Sequence, residues 1–385
     1  MSTKFNIFME KKSNSRNILL FVIIILAILS LSRAVQQAQI FSFDFSVSTA
    51  KLVSEGINNY EYVLEGKHDR SENDKILYSQ DGQYAHGFHV LLIPFTKISW
   101  ENAKLIWSLI NLFFAIIIPI LLCKKFKFST IETLLLTSVL LMSTPLRINI
   151  GYGQHTLFTY FFLILPIIYN SKLSYLFSGF SYFKYNIGYA FFLYLIVQRK
   201  ISNILISLIP VFLGWLIYSY LTGTNPVISL FQPFLTTQYL HQEGHFPSSI
   251  FTIFKYINID GFILVLLPIV INFYVIYLSS SIKNELYKFS IICMSILAFT
   301  PHQIHDYILL FPLLLYSFKN LNLKVSKLNI IFIFYFFFFL RIISFFYGTQ
   351  PWEFPYGIFG YFNNFLTVLF VFINLLNGKK YNLKK

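Results

Sequence analysis

Charged residues are scarce in this sequence: they make up 12% of its 385 residues, whereas apolar residues make up 56%. An ordinary soluble domain has about 25% charged and about 45–50% apolar residues. The excess is not confined to one region, because the 46 Phe and 26 Tyr are spread over the whole length. This composition excludes a soluble globular protein and predicts an all-α polytopic membrane protein.

Acidic residues and cysteines are also few. The chain has 16 Asp and Glu against 30 Lys and Arg, which gives a formal net charge of +14. The basic residues stand in short clusters between apolar runs, a pattern that indicates membrane topology and gives no reason to expect a nucleic-acid partner. Cys123 and Cys293 fall in or at the ends of apolar runs and lack CxxC spacing. We therefore expect neither a disulfide framework nor a thiolate metal site. We also expect no other metal and no cofactor.

Apolar runs long enough to suggest membrane spans recur along the chain. A spanning helix needs about 20 mainly apolar residues, or fewer inside a bundle. The sequence predicts about twelve spans, near 18–34, 102–123, 131–147, 155–170, 173–185, 186–198, 201–221, 262–280, 289–303, 305–318, 328–347 and 358–377. The first run continues to Gln36 and Gln37 without a small-residue cleavage site, so we expect a retained helix.

The distribution of charge predicts the orientation. If the N-terminus is cytoplasmic, alternate connections place most basic clusters on the same side, together with only three acids. These clusters include Lys124 to Lys127, Arg199 with Lys200, and the C-terminal Lys379 to Lys385. Because Lys and Arg are enriched in cytoplasmic loops, both termini are predicted to be cytoplasmic, in a membrane that we expect to be the bacterial inner membrane.

Residues 84–98 are apolar enough to suggest a span, but a crossing there would reverse every later charge cluster. We interpret this segment as an interfacial or re-entrant helix on the outer face. No internal repeat or linker divides the chain, so residues 1–385 are expected to form one domain. The two long outer segments, about 35–101 and 222–261, predict that the functional site lies on the outer face.

A few polar residues lie in apolar surroundings, where their desolvation costs free energy. Asp44 stands between two Phe residues, about ten residues beyond the first span, and a carboxylate held there is a functional candidate. Buried cations without an obligatory carboxylate partner suit an anionic ligand such as a phosphate. Snorkelling to the interface is the alternative for Lys184 and Arg341, and a polar cluster that only joins helices is the alternative for Asp306 with its histidines. The remaining candidates at the outer ends of spans are Arg147, Gln154, His302 and His305.

The motif FSFDFSVSTAKLVSEGINNY at 41–60 is followed by GFHVLLIPF at 87–95 and AKLIWSLINLFFAI at 103–116. The order of these motifs resembles the opening of glycosyltransferase family 87, the polyprenyl-phosphate-mannose-dependent mannosyltransferases of the C-type membrane superfamily. NIGYGQHTL at 149–157 is similar to the family's Asn-x-x-x-Gly-Gln turn. LFSGFSYFKYNIGYAFFLYLIVQRK at 176–200 and TPHQIHDYILLFPLLL at 300–315 continue the similarity. The chain departs from the family at Ala85, where a Pro is usual, and at Ile304, where a Trp is usual.

The resemblance implies a C-type glycosyltransferase fold of about twelve transmembrane helices, with interfacial helices in the first outer loop. It implies a polyprenyl-phosphate sugar donor, a glycan or glycolipid acceptor and attack with inversion at the outer face. Asp44 matches the acidic residue of the family's first loop and would be the catalytic base. Lys184, and less directly Arg341, would bind the donor phosphate. The residues expected to line the substrate site are Gln154, His86, His302, His305 and Asp306.

Two other interpretations of the function remain open at this point. A transporter or flippase would also have twelve spans and charges inside the membrane, but the sequence has neither repeated halves nor paired broken helices. A multispan scaffold without chemistry would explain the composition but not Asp44. The absence of a GxGxxG or P-loop motif fits an enzyme that takes its sugar from a lipid and needs no nucleotide-binding domain.

Overall fold

The structure is a computed structural model that describes residues 13–65, 84–242, 250, 254, 261–346 and 358–382. Within these ranges it contains helices and no strand. The α-helices, numbered in chain order, are α1 (Ser13–Ile40), α2 (Val47–Ser54), α3 (Asn59–Leu64), α4 (His86–Leu92), α5 (Trp100–Lys125), α6 (Thr130–Met142), α7 (Thr144–Gly151), α8 (Thr156–Tyr169), α9 (Lys172–Ser178), α10 (Tyr185–Val197), α11 (Ile201–Thr222), α12 (Pro226–Ser229), α13 (Gln232–Gln242), α14 (Gly261–Ser280), α15 (Glu285–Phe299), α16 (Phe311–Lys319), α17 (Lys324–Phe334), α18 (Leu340–Phe346) and α19 (Ile358–Asn382).

Four helices among the described residues are long and apolar enough to cross a membrane: Asn17–Ile40, Trp100–Lys125, Ile201–Thr222 and Lys324–Ile342. The bent pair α6 and α7 makes a fifth if it counts as one span. The protein is therefore an all-helical, polytopic membrane protein, as the composition predicts. The other predicted spans coincide with helices whose apolar portions are shorter, such as Leu266–Ser280 and Phe362–Gly378, so the number twelve and the C-type fold stay predictions.

The predicted span 131–147 is broken in the structure. Helix α6 ends at Met142, α7 begins at Thr144, and the two axes differ by 61°. The break follows from the local sequence, because Pro145 has no N–H to continue the helix. The Ser143 side chain instead accepts a hydrogen bond from the backbone N–H of Leu146, at 3.4 Å, and starts a new helix. The bend directs α7 toward the turn that holds the candidate site.

Residues 84–98 form α4 and a 3-10 helix, Ile93–Lys97. A seven-residue helix is far too short to cross a membrane, which agrees with the interfacial helix predicted there. Helix α4 packs directly on α11, where Gly87 and Gly214 meet. A Cβ atom on Gly214 would lie 2.4 Å from the Cα of Gly87, so the two backbones touch. This contact fixes the first outer segment on the bundle.

The interior of the bundle is built around α15, of which almost every residue is buried. Helices α14, α16 and α19 all pack on it. A 3-10 helix, Ile304–Leu310, links α15 to α16, lies against α7 and is buried throughout. This segment contains two of the candidate residues predicted from the sequence, His305 and Asp306, so it forms one wall of the site.

Candidate active site

The centre of the candidate site is the short turn between α7 and α8, which holds Gln154, His155 and Thr156. Gly153 adopts φ +68°, a left-handed conformation that favours glycine, and a Cβ atom there would lie 2.8 Å from Phe45. The backbone N–H of Gln154 donates to the carbonyl of Asn149 at 2.8 Å, which closes the turn. All three side chains are buried, and each bonds to a different part of the site.

Asp44 and Gln154 form the first pair. The side-chain amide of Gln154 donates a hydrogen bond to the Asp44 carboxylate, and the backbone N–H of Asp44 donates to the carbonyl of Tyr152 at 2.9 Å. The Asp44 side chain is half-buried, so it is fixed by the protein and still reachable from outside. The structure thus brings together two residues that are 110 positions apart in sequence and that the sequence predicted separately.

His155 ties the site to the first outer segment. Its Nε2 lies 3.1 Å from the hydroxyl of Ser46, two residues beyond Asp44. Its ring packs edge-on against Tyr84 and Phe88, with ring centroids at 4.8 Å and 4.2 Å. Sequence reasoning assigned no role in the site to His155. Its signal was its position inside NIGYGQHTL, directly after Gln154.

Tyr84 is a further residue that sequence reasoning did not assign to the site. Burial raises the pKa of its hydroxyl well above the usual value, and the charges of Asp44 and Asp306 raise this pKa further. The side chain is therefore a neutral hydroxyl within electrostatic range of both carboxylates. A neutral phenol in this position can donate a hydrogen bond to a carboxylate or to a ligand.

Thr156, Lys184, His305 and Asp306 form a second, buried group. The Lys184 ammonium lies 2.9 Å from Asp306 Oδ1, 2.6 Å from Thr156 Oγ1 and 3.3 Å from His305 Nε2. The Thr156 hydroxyl donates to Asp306 Oδ1 at 2.5 Å, and Asp306 Oδ2 accepts the backbone N–H of Gln303 at 3.1 Å. Every polar atom of the carboxylate is thus engaged.

This group corrects one premise of the sequence reasoning. Lys184 was expected to lack a carboxylate partner, but it forms an ion pair with Asp306 in which both side chains are almost fully buried. A lysine ammonium has three N–H donors, and three acceptors surround it here. Nor does Lys184 extend to the membrane surface, because it is only 5% exposed. Its assignment as a phosphate ligand stays a prediction.

His305 lies in the Ile304–Leu310 wall and His302 lies just before it, and the two histidines have different partners. The backbone carbonyl of His305 accepts a hydrogen bond from the Asn149 side chain at 2.6 Å, which ties the wall to α7. His302 Nδ1 lies 3.1 Å from the carbonyl of Thr300, and its ring packs edge-on against Tyr307. Because a carbonyl can only accept, Nδ1 carries the proton, and His302 Nε2 is then a hydrogen-bond acceptor. Among the described residues this buried Nε2 has no partner.

His86 belongs to a different network. Its Nε2 donates to the backbone carbonyl of Ser229 at 2.8 Å, and its ring packs edge-on against Tyr60 and Tyr218. Burial lowers the pKa of His86 to about 4, so the ring is neutral at pH 7. This network fastens α4 to α11 and α12. The predicted substrate-binding role of His86 stays a prediction.

Arg341 lies half-buried in α18, directly after a π-helical segment, Tyr335–Phe339. It interacts electrostatically with Arg147 on α7, which also interacts with Arg33 near the end of α1. The structure therefore places Arg341 with two other arginines, while Lys184 is paired with Asp306. Neither Arg33 nor the grouping of the three was apparent from the sequence.

Cys123 and Cys293 are free and buried. No group of three or more His, Cys, Asp or Glu side chains that could hold a metal ion occurs within the described ranges.

One family model matches the chain. The model of glycosyltransferase family 87 matches residues 83–301, more than half of the sequence. The matched range includes Gln154 and Lys184 and ends directly before His302. Asp44 lies before the start of this range. No curated protein and no solved structure matches the chain.

Proposed function

Because the chain belongs to glycosyltransferase family 87, we propose that it transfers mannose from a polyprenyl-phosphate donor to a glycan or glycolipid acceptor at the outer face of the membrane. Family membership makes the protein a glycosyltransferase and favours an enzyme over the transporter and the scaffold. The sugar, the lipid carrier and the acceptor are our proposal.

The observation that supports the proposed mechanism is the hydrogen bond from Gln154 to the half-buried carboxylate of Asp44. The amide holds one oxygen, Oδ2, and the backbone bond to Tyr152 fixes the residue itself. Because both oxygens belong to one planar carboxylate, the bond to Oδ2 also orients Oδ1, which can accept a proton from the hydroxyl of the acceptor. A general base must be positioned within hydrogen-bond reach of the proton that it removes, and this geometry provides such positioning.

The proposed reaction is a single displacement. The acceptor oxygen attacks the anomeric carbon while Asp44 takes the hydroxyl proton, and the bond from that carbon to the phosphate oxygen breaks. The electron pair of the broken bond stays on the phosphate, which leaves with its lipid. Attack on the side opposite to the phosphate inverts the anomeric configuration. Positive charge beside the leaving phosphate stabilises it in the transition state.

We propose Arg341 and Lys184 as ligands of this phosphate. The two side chains differ in the partners that surround them in the structure. A guanidinium binds phosphate through two parallel N–H bonds and keeps its charge when partly buried. Lys184 can donate to a phosphate only if a phosphate oxygen replaces Thr156 or His305 as an acceptor, because its three N–H groups already have partners. We therefore expect Arg341 to contribute more.

The polar residues around Asp44 complete the proposed site. The Gln154 Oε1 atom is buried and has no hydrogen-bond partner among the described residues, so it can accept a bond from a sugar hydroxyl. His302 Nε2 offers a second acceptor of the same kind. Sugars carry many hydroxyl donors, and a site built to bind them needs such acceptors. No cofactor takes part in the proposed reaction.

Replacement of Asp44 tests this function. Asp44→Asn keeps the size of the side chain and removes its basicity, so transfer from a polyprenyl-phosphate mannose to endogenous acceptors in membrane vesicles should fall by roughly 10²–10⁴-fold. Glu55→Gln is the matched control, because Glu55 is an exposed carboxylate in the same outer segment. Near-normal transfer by a well-folded Asp44→Asn protein would rule out the base. Uptake of donor without formation of a glycoside in the wild type would favour a transporter.

A further inference from the structure

Three arginines, Arg33, Arg147 and Arg341, lie on helices that pack around α7, which leads into the candidate site. Arg147 on α7 interacts electrostatically with both Arg33 on α1 and Arg341 on α18. The helices that carry them are in contact, since α1 packs along α7 and α7 contacts the π-helical segment that precedes α18. A Cβ atom on Gly151 would lie 3.7 Å from the carbonyl of Ala34, so the two helices also touch next to Arg33. We call these three residues the arginine cluster.

The positive charge of Arg33 and Arg147 suits an anionic ligand. Neither Arg33 nor Arg147 forms an ion pair with a carboxylate in the described part of the chain, and Arg147 is half-buried. Like charges repel one another, and their desolvation is costly unless an opposite charge compensates it. Intramembrane arginines arranged in this way mark the position of an anionic ligand. By contrast, the Lys184 group already contains its own carboxylate.

The position of the cluster on the bundle favours a ligand that comes from the bilayer. Only 11% of the apolar window of α1 is buried inside the protein, so this helix faces lipid along most of its length. Arg33 is exposed on it, near its outer end. An arginine there can reach a phosphate at the level of the lipid headgroups while the hydrocarbon chain stays in the membrane.

The cluster is also connected to Asp44 through α7. The end of α7 fixes the loop that carries the base, since the N–H of Ser42 donates to Gly151 and that of Asp44 to Tyr152. Arg147 precedes Tyr152 by five residues, which corresponds to roughly 7.5 Å along a helix. One short helix therefore sets the spacing between the arginines and the carboxylate.

We propose that the arginine cluster binds the phosphate of a prenyl-phosphate lipid, whose chain enters between α1 and α18 from the bilayer. This proposal deepens the proposed function and rests on it for the identity of the lipid. It assigns the phosphate mainly to Arg33, Arg147 and Arg341, so Lys184 is at most a secondary ligand whose main contribution is to position Asp306 and the Ile304–Leu310 wall.

Binding can be measured without turnover, with the full chain in lipid nanodiscs and geranylgeranyl phosphate as the probe. Arg147→Gln and Arg33→Gln should each weaken binding by about 10–100-fold, since each removes a charge-assisted hydrogen bond to the phosphate. Arg147→Lys keeps the charge without the planar fork and should lose less. Lys172→Gln, an exposed inner-face charge, is the matched control and should bind like the wild type.

The probe set distinguishes the possible ligands. Geranylgeraniol, which lacks the phosphate, should not compete, whereas inorganic phosphate should compete only weakly. Equal, arginine-dependent binding of phosphatidylglycerol would show a general phospholipid site and overturn the prenyl-phosphate assignment. Unchanged affinity in both arginine variants would overturn the assignment to the cluster, and loss of binding in the double variant Lys184→Met with Asp306→Asn would then return the phosphate to Lys184. If the arginines bind the probe but no sugar is transferred, the site stands and the proposed function fails.

Discussion

Gln154 controls the electrostatic environment of Asp44, because its amide donates to the carboxylate. Gln154→Glu replaces this donor with a second carboxylate of similar size. Two adjacent carboxylates cannot both ionise easily, so the pKa of the pair should rise. A base is active when it is deprotonated, and the acid limb of the pH–rate profile should therefore move to higher pH by at least about one unit.

Gln154→Met serves as the control for this change. It removes the hydrogen bond without adding a charge, so the acid limb should move less than in Gln154→Glu. Transfer rates measured between pH 5 and 9 distinguish the two variants. The same pH profile in Gln154→Glu as in the wild type would mean that Asp44 is not the group that titrates in the reaction.

Lys184 and Asp306 carry opposite charges in a buried group, and each depends on the other. Lys184→Met leaves the Asp306 carboxylate buried without its cation, a change that costs about 3–5 kcal/mol in comparable pairs. The double variant Lys184→Met with Asp306→Asn removes both charges and should recover much of that loss. Thermal unfolding of the purified variants measures both effects. Equal stability of the single variant and the wild type would show that the pair does not support the fold.

This expectation changes how the loss of activity in Lys184→Met should be interpreted. If Lys184 only bound the donor phosphate, as the resemblance implies, the substitution would reduce donor use and leave the stability of the protein unchanged. The ion pair, seen only in three dimensions, makes instability the first expected result. Sequence reasoning identified Lys184 and Asp306 as candidates but could not pair them, because 122 residues separate them and nothing local links the two segments.

At the scale of helices, the contact between α4 and α11 depends on two glycines. Gly214→Ala would place a Cβ atom 2.4 Å from the Cα of Gly87, where only backbone is available to move. Overpacking of this kind costs about 1–3 kcal/mol. The displacement of α4 should also disturb Tyr84 and His86, so stability and transfer should both fall.

Leu213→Ala is a suitable control for this substitution, because Leu213 is its neighbour on α11 and is 51% exposed. Loss of the Leu213 side chain should leave the contact between α4 and α11 intact. Thermal stability and transfer rate are measured for both variants. Wild-type values for Gly214→Ala would show that α4 can shift without consequence for the site.

The sequence predicted where helices lie better than it predicted where a helix is interrupted. Each predicted span overlaps an observed helix, and the short helix α4 agrees with the argument against a crossing at 84–98, whereas α2, α3, α12 and α13 lie outside every predicted span. The break at Ser143 was missed because the apolar pattern continues through Pro145, although a proline after a capping serine is a recognisable start signal. Similarly, the predicted span 173–185 is the seven-residue α9 followed by a 3-10 helix, Gly179–Phe183.

At the scale of the whole molecule, the distribution of charge predicts which face carries the site. If the basic connections are cytoplasmic, α2 and Asp44 lie outside. Engineered cysteines can test this orientation, because the two native cysteines are buried and should give little background. Glu55→Cys places a thiol at the end of α2, and Lys124→Cys places one at the end of α5, both at exposed positions.

In intact cells, a membrane-impermeant maleimide should label the Glu55→Cys protein and leave the Lys124→Cys protein unlabelled. After permeabilisation both should react, which controls for accessibility of each thiol. The reverse pattern would place Asp44 and the arginine cluster on the cytoplasmic side of the membrane. An outer-face donor would then be unable to reach the base, so the proposed transfer at the outer leaflet depends directly on this result.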